Sequence, residues 1–326
     1  MTRYVCAVLA AVVAVVAIGD STHAQAKARP KYKIGLIAKS ESNPVFQAAK
    51  VGAEDAAKEL GAKLGCDIEI LWRTPAAEDA QKQAQLLEQL VVVGVDGIAI
   101  SCTDAAKTTA AIDKAVGKGI AVATFDSDAP TSKRFVFHGV DDMECGRAVA
   151  RELAAKLGDA GGSVAILAGT QTAPNLQARV RGVKEELAKI PSIKLVDVYY
   201  HKETAQDAAA KVNEVQTSHP EIAGWAMVGG WPLFSDALMD WTPGKVKIVA
   251  VDALPAQLKY VEKGVVQTLL AQRVYHWGYR SVELLVDKLH NNVTPKTPRD
   301  VAELDRVTKE NVAEYAKNWA KWLPQK

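Results

Sequence analysis

Two aspartates, Asp126 and Asp252, directly follow apolar runs and could bind a ligand that carries several hydroxyl groups. Each carboxylate can accept two hydrogen bonds from neighbouring hydroxyls of a polyol. Asp is also a good N-cap, so capping of the next helix is the alternative role. Because the two residues hold matching positions in the two halves of the chain, we favour ligand contact for both.

Asn43 is a third candidate, since its amide can donate and accept hydrogen bonds at once, as a hydroxyl ligand requires. Asn followed by Pro44 is also ordinary turn chemistry, and that alternative stays open. The residue follows the first apolar run of the chain beyond its N-terminal segment.

Ten short apolar runs rich in Val and Ile must position these side chains, and their near-continuous hydrophobicity is typical of strands buried on both faces. Between them lie stretches of helix-forming residues with apolar side chains at helical spacing, such as Val45 to Leu60, Glu78 to Val93 and Thr103 to Lys118. The predicted strands are Lys33 to Ala38, Asp67 to Trp72, Gly97 to Ser101, Ile120 to Phe125, Phe135 to Gly139, Ser163 to Ala168, Lys194 to Tyr200, Ala223 to Gly229, Lys245 to Val251 and Val265 to Ala271.

Strands that alternate with helices predict an α/β fold with doubly wound parallel sheets. Five strand and helix units precede Asp141 and five follow it, and a mature chain of about 300 residues is large for one core, so we expect two domains. Ligands of such sheets bind beyond the carboxyl ends of the strands, where the candidate residues stand.

The start of the chain predicts export. Arg3 precedes an apolar run from Val5 to Ile18, and a small-residue cleavage site follows at Ala24-Gln25-Ala26, so residues 1–26 read as a cleaved signal peptide. The alternative is an uncleaved anchor, but the run is shorter than the ~20 residues that a spanning helix needs. The net charge of +2 gives no case for a nucleic-acid partner.

Cysteine usage argues against a disulfide framework and against a metal site. Loss of the signal segment would leave Cys66, Cys102 and Cys145, an odd number without Cys-x-x-Cys spacing. We expect buried thiols that act as small apolar residues, and we expect neither a metal nor another cofactor.

Two enzyme classes that use alternating sheets lack their motifs here. No Gly-x-Gly-x-x-Gly follows the first strand, as a dinucleotide-binding oxidoreductase would require, and no Gly-x-Ser-x-Gly stands at a strand end, as in an esterase. We therefore do not expect an enzyme.

From about Tyr32 to its end, the chain resembles the ribose-binding-like extracytoplasmic solute-binding proteins of bacterial transporters. Three segments carry the resemblance by their order and spacing: Ser42-Asn43-Pro44-Val45-Phe46 after the first strand, Thr124-Phe125-Asp126 at the end of the fourth, and Val251-Asp252 at the end of the ninth. A sugar-responsive repressor shares this fold but carries a helix-turn-helix where this chain has an export signal.

The resemblance implies two lobes joined by three crossings, near Gly139 to Asp141, Gln272 to Arg273 and Thr297 to Asp300. The first lobe would hold residues 31–139 plus 273–299, and the second residues 140–272 plus 300–326. It implies a periplasmic protein that closes on a monosaccharide or similar solute and delivers it to the membrane permease of an ABC transporter. The alternative is a sensor that presents a sugar or an autoinducer-2-like signal to a chemoreceptor or sensor kinase.

The resemblance also implies further ligand contacts. Arg179 stands where the family supplies a guanidinium, with Arg181 as the competing choice, and Gln272 matches an amide at the second crossing that could instead serve the hinge alone. Aromatic faces bind the C–H patches of sugars. We expect this role for Phe46 and Trp231, while Trp72 could equally pack in the core, and we place the other tryptophans, Trp225, Trp241, Trp277, Trp319 and Trp322, in the core or on the surface.

The chain departs from the ribose-binding pattern at two places. Ser127 replaces the Arg that commonly follows the first-lobe aspartate, and the resulting Asp126-Ser127-Asp128 is similar to subgroups that bind rhamnose and autoinducer-2. Gly230-Trp231 replaces an Asn-Asp pair of the second lobe, for which Asn175 could supply the missing polar contact. Ser127, Asp128 and Asn175 therefore join the predicted ligand contacts.

Overall fold

Two six-stranded sheets organise the protein in the computed structural model, which describes Met1 and residues 29–323. Residues 2–26 of the predicted signal segment and the last three residues of the predicted second lobe lie outside the described residues. No helix in the described part of the chain is both long enough and apolar enough to span a membrane.

The first sheet is entirely parallel and has the order β2-β1-β3-β4-β5-β11. Helices α1 and α8 pack on one face, and α2 and α3 pack on the other. These elements form what we call the first lobe: β1 Lys31–Ile37, α1 Pro44–Leu64, β2 Asp67–Trp72, α2 Ala80–Val93, β3 Gly97–Ile100, α3 Ala105–Gly117, β4 Ala121–Phe125, β5 Val136–Gly139, α8 Val274–His290 and β11 Arg299–Val301.

The second sheet repeats this order as β7-β6-β8-β9-β10-β12, with only β12 antiparallel to its neighbour β10. Helices α4 and α5 pack against each other, and α4 lies along β8 and β9. What we call the second lobe contains α4 Asp142–Leu157, β6 Gly162–Ala168, α5 Pro174–Leu187, β7 Ile193–Tyr200, α6 Ala205–Ser218, β8 Ile222–Met227, β9 Lys247–Val251, α7 Pro255–Lys263, β10 Thr268–Ala271 and β12 Asp305–Val307.

The prediction of a two-lobed, doubly wound α/β fold is confirmed, and all ten predicted strands are present. Strands β11 and β12 are not among these ten, because three residues carry too weak a hydrophobic signal. The chain passes between the lobes at Val140 to Asp141, at Gln272 to Arg273 and at Ala302 to Leu304, the last a few residues beyond the predicted third crossing.

The C-terminal segment contacts both lobes. It contains two short helices, α9 Val312–Ala316 and α10 Trp319–Trp322. The Trp319 indole donates to the carbonyl of Ala253 in the second lobe, while the Trp322 ring stacks on Tyr275 of α8 in the first lobe. Both tryptophans are buried, as predicted for this group.

The three cysteines within the described residues are buried and free, which confirms the prediction of apolar thiols. Burial raises the pKa of Cys102 and of Cys145 to about 12, so both stay protonated at neutral pH.

Candidate functional site

A small cavity lies between the lobes, where the carboxyl ends of both sheets meet. It leaves only about 30 Å³ free, room for about two water molecules. A larger solute therefore requires the lobes to part. Polar and aromatic side chains from both lobes line it: Lys39, Asn43, Phe46, Asp126, Asn175, Arg179, Glu203, Trp231, Asp252, Gln272 and Trp277.

Asp126 follows β4 and has an unusual backbone with φ 56°. The left-handed region costs an L-residue about 1 to 2 kcal/mol, but Asp and Asn adopt it more readily than other non-glycine residues. The carboxylate accepts from the Ser101 hydroxyl at 2.6 Å and from the Asn175 amide at 3.2 Å. The backbone thus turns at the strand end so that this side chain enters the cleft.

Lys39 is a cation of the cleft that sequence reasoning missed. Only 3% of the residue is exposed, and its Nζ donates to Asn175 Oδ1 at 3.2 Å and lies 3.8 Å from Asp126 Oδ2. Burial opposes the charged form, but the carboxylates of Asp126, Glu203 and Glu78 together raise the pKa of Lys39. Lys39 is therefore a charged donor at neutral pH.

Asn175 joins the lobes directly. It lies in the first turn of α5, where Pro174 starts the helix, and no side-chain hydrogen bond caps that end. Its Oδ1 accepts from Lys39 and its Nδ2 donates to Asp126, both in the first lobe. These two hydrogen bonds span the cleft, and a ligand oxygen could replace either of them.

Arg179 lies one helical turn beyond Asn175 and is almost completely buried. Its Nε donates to Asp142 at 2.9 Å, Nη1 to the Val228 carbonyl at 3.1 Å, and Nη2 to Gln272 Oε1 at 2.7 Å. The structure places Arg179 in the cleft and leaves the competing Arg181 exposed.

Asp252 mirrors Asp126 at the end of β9, with φ 72°. Its Oδ1 accepts from Gln272 Nε2 at 2.9 Å. Burial raises the pKa of Asp252 to about 6, although Arg179 opposes the change. Gln272 lines the cavity and also forms part of the second crossing, so its amide can contact both a ligand and the hinge.

Aromatic rings form the apolar walls. Phe46 and Trp277 lie 6.0 Å apart between ring centres on the first-lobe side, and Trp231 lies on the second-lobe side with its ring over Gly229. Trp277 was predicted for the core or the surface; it is buried, as a core residue is, and it also lines the cavity. Trp277 lies on α8, which follows the second crossing, and nothing in the sequence indicated that this part of α8 reaches the cleft.

Asn43 caps a helix and also lines the cavity. Its Oδ1 accepts from the Val45 backbone and so caps α1, and the residue also lines the cavity. Capping fixes the side chain at the edge of the cleft.

The structure does not bring Trp72, Ser127 and Asp128 to the cavity. Asp128 forms an ion pair with Arg134 and accepts from the Thr124 hydroxyl, so its carboxylate stabilises the first lobe. Ser127 is fully buried, and its carbonyl accepts from the backbone of Cys102. The Trp72 indole donates to Glu41 at 3.0 Å outside the cleft.

Two glutamates near the cavity were also missed. Glu203, after β7, accepts from the Thr170 backbone at 3.0 Å, and Glu78, before α2, is within hydrogen-bonding range of it from the other lobe. Burial and the negative charge of Glu203 raise the pKa of Glu78 to about 8. Glu78 is therefore mostly protonated at neutral pH, and it can share that proton with Glu203 across the cleft.

Comparisons with known proteins agree with this geometry. Residues 34–292 match a sequence family described as a periplasmic binding protein domain. The D-allose-binding periplasmic protein of Escherichia coli K12 is 29% identical over 265 residues, which cover 77% of this chain and 83% of that protein.

Solved structures of solute-binding proteins share the fold. One from Burkholderia graminis C4D1M, in complex with D-arabinose, has a TM-score of 0.80 at 29% identity and covers 87% of this chain and 97% of that chain. XylFII in the XylFII-LytSN complex has a TM-score of 0.75 at 25% identity and covers 86% of this chain and 98% of that chain.

Proposed function

The chain belongs to the periplasmic binding protein domain family, and from this premise we propose that it captures a monosaccharide between its lobes and delivers it to an ABC transporter. The single observation that carries the proposal is the pair Asp126 and Asp252, which reach one cavity from equivalent strand ends of the two lobes. Carboxylates with aromatic walls beside them suit a ring that has hydroxyl edges and apolar faces.

Capture follows from the contacts that span the cleft. Asn175 bridges Lys39 and Asp126 across the cleft, and these hydrogen bonds must part when the lobes open. Sugar hydroxyls would then satisfy the same groups when the lobes close again. Closure is a hinge motion about the three crossings, with each lobe moving as a unit.

Specificity would arise from the cost of polar groups that are left unpaired. A buried donor or acceptor without a partner costs about 1 to 3 kcal/mol, so a sugar with one inverted hydroxyl binds more weakly. Related proteins bind D-allose and D-arabinose. Those two sugars, together with D-ribose, are the first candidates for this chain.

The relatives are periplasmic proteins, which supports an exported, periplasmic location for this chain. Cleavage after Ala26 would release the mature chain into that compartment. We propose the predicted lobe limits for the chain, with the third crossing moved to Ala302 to Leu304, after β11. The relatives are binding proteins, and capture and release require no covalent chemistry from the cavity residues.

Presentation of the bound sugar to a membrane receptor is the second candidate function. It is favoured by one observation, the likeness to XylFII, whose structure is known in complex with LytSN. Both functions use the same cleft and the same closure, so the partner protein alone distinguishes them.

A thermal-shift screen followed by calorimetry tests the capture of a sugar. The mature chain is mixed with D-allose, D-ribose, D-arabinose, D-xylose and L-rhamnose, because a ligand of the folded state raises the melting temperature. We expect a rise with one stereoisomer that is lost in Asp252→Asn and kept in Asp128→Asn, whose carboxylate lies outside the cavity. The absence of a rise with every sugar, or equal loss in both variants, would overturn the proposal.

A further inference from the structure

Four side chains form a continuous hydrogen-bonded chain from the first crossing to the second. Asp142, the first residue of α4, accepts from Arg179 Nε at 2.9 Å; Arg179 Nη2 donates to Gln272 at 2.7 Å; and Gln272 Nε2 donates to Asp252 at 2.9 Å. Three of the four line the cavity, but Asp142 does not. Its carboxylate binds the Nε side of the guanidinium, outside the cavity lining.

Among the described residues, Asp142 is the one carboxylate in direct contact with Arg179. Only 2% of Arg179 is exposed, and a buried guanidinium requires a paired anion. The negative charges of Asp126 and Asp252 act on it from a greater distance. Loss of the Asp142 charge would leave Arg179 free to turn toward either of them.

The three contacts of Arg179 come from three separate segments and fix the plane of its guanidinium. Asp142 begins α4, Val228 follows β8, and Gln272 forms the second crossing. Since Arg carries five N–H groups, the protein uses three and leaves one on each terminal nitrogen for a ligand. A sugar oxygen can meet both remaining donors only if the plane is held in place.

The ion pair is not needed to hold the two helices together. A side chain on Gly146 would meet the Arg179 carbonyl at 2.0 Å, and one on Gly182 would meet the Met143 carbonyl at 2.1 Å, so α4 and α5 already touch through their backbones. Helix α4 therefore fixes Arg179 twice, its backbone through Gly146 and its side chain through Asp142.

We propose that Asp142 is a positioning residue, which holds Arg179 in its ligand-binding orientation and ties that orientation to both crossings. The proposal rests on the capture function proposed above. Its consequence is that the loss of one carboxylate charge outside the cavity weakens sugar binding and changes its selectivity.

The test compares Asp142→Asn with Glu185→Gln, which removes an exposed ion pair between the same two helices. D-allose affinity is measured by calorimetry beside the melting temperature. We expect Asp142→Asn to fold and to bind about tenfold or more weakly, while Glu185→Gln binds as the wild type does. Monodeoxy analogues of D-allose add a readout that a purely structural role would not change. The analogue that lacks the hydroxyl contacted by Arg179 should lose less affinity in Asp142→Asn than in the wild type.

A pH profile gives a second readout. Burial raises the pKa of Asp142 to about 6 although Arg179 opposes it, so the wild-type affinity should fall from pH 7 to pH 5, and Asp142→Asn should show a shallower fall. The charged and titratable groups that act on this carboxyl group are Arg179 on α5, Asp126 after β4, Lys39 after β1 and Cys145 on α4. Asp252 after β9 is connected to it through Gln272 and Arg179. Unchanged affinity in Asp142→Asn, with an unchanged melting temperature, would overturn the positioning role.

The positioning of Arg179 by Asp142 can also be tested without a ligand, so its failure can be told apart from failure of the capture function. If the wild type binds none of the sugars, the Nε–H group of Arg179 can still be followed by ¹⁵N NMR without a ligand. A protected resonance in the wild type that is lost in Asp142→Asn supports positioning, whereas identical resonances in the two proteins refute it.

Discussion

Asp126 and Asp252 occupy equivalent places in the two lobes, each directly after a central strand and each in the left-handed backbone region, with φ 56° and 72°. Both are buried, with 4% and 7% of the residue exposed. Non-glycine residues rarely adopt this conformation, and strain of this kind is found at ligand sites. The two lobes therefore present their carboxylates to the cavity by the same local device.

Substitution of Asp252 should separate strain from ligand binding. Asn tolerates the left-handed backbone and Ala does not, so Asp252→Ala should be less stable than Asp252→Asn by about 1 kcal/mol, with Asp252→Gly closer to Asn. All three should lose sugar affinity, because each removes the carboxylate. Thermal melts and calorimetry on the three variants check both parts, and equal melting of the Asn and Ala variants would show that the backbone is not strained.

The positions of Asp126 and Asp252 could be predicted because parallel strands bring their carboxyl ends to one edge, whatever the details of packing. Lys39 could not, since a lysine after a strand ordinarily faces water. Its burial depends on Asn175 and Glu203, which reach it from the other lobe. Contacts between distant segments of this kind leave no periodic pattern in the sequence.

Asp128 shows the opposite limit of prediction from sequence, because we expected it in the cleft and it lies outside the cavity. It stands two residues after Asp126 with the same side chain, and composition alone could not tell which of the two faces the cleft. Arg134 decides between them, because its guanidinium pairs with the Asp128 carboxylate outside the cavity. A short-range ion pair thus holds outside the cavity a carboxylate that the resemblance to other family subgroups had favoured as a ligand contact.

Stability should fall as the pH rises, because of the Glu78 and Glu203 pair. The pKa of Glu78 is raised from 4.5 to about 8, so the folded state binds a proton that the unfolded state releases. The contribution of this pair to the free energy of unfolding is therefore greatest below pH 4.5 and is lost between about pH 4.5 and pH 8. Asp142 and Asp252 also have a pKa raised to about 6, so they too lower the free energy of unfolding as the pH rises, but between about pH 4 and pH 6.

Melting curves from pH 5 to pH 8.5 test this, and above about pH 7.5, where both aspartates are ionised, they isolate Glu78. Glu78→Gln mimics the protonated acid, so we expect it to match the wild type near pH 5 and to melt at a higher temperature at pH 8. Glu88→Gln, an exposed change on α2, is the matched control and should follow the wild-type profile. Parallel profiles for Glu78→Gln and the wild type would exclude a shared proton between the two glutamates.

Removal of the Lys39 cation from the cleft should weaken sugar binding strongly. Lys39→Met leaves the Asp126 carboxylate buried without its neighbouring cation and removes a donor to the ligand. Truncation of one partner of a buried charge pair costs about 2 to 5 kcal/mol, so the dissociation constant for the bound sugar should rise at least about thirtyfold. Calorimetry measures it directly.

The matched control for Lys39 lies on the strand that precedes it. Lys33 is exposed near the start of β1, so Lys33→Met makes the same chemical change away from the cleft. It should bind sugar as the wild type does. Equal weakening in the two variants would mean that overall charge, and not the contact with Asp126, governs affinity.

Close helix packing behind the first-lobe wall should be intolerant of even one methyl group. A Cβ on Gly278 of α8 would lie 1.7 Å from the Ala49 carbonyl of α1, so Gly278→Ala must push the two helices apart. Overpacking of this kind costs about 1 to 3 kcal/mol or more. Because Phe46 on α1 and Trp277 on α8 form one wall of the cavity, the displacement should also weaken sugar binding.

Gly117→Ala provides the comparison, since a Cβ at that exposed position at the end of α3 meets no atom within 4 Å. Ala favours the helix over Gly by up to about 1 kcal/mol, so this variant should melt at the wild-type temperature or slightly above it. A melting temperature for Gly278→Ala that is lowered together with affinity, against an unchanged Gly117→Ala, would tie the cavity wall to the packing of α1 on α8. Full sugar affinity in a destabilised Gly278→Ala would instead show that Phe46 and Trp277 keep their places independently of that helix contact.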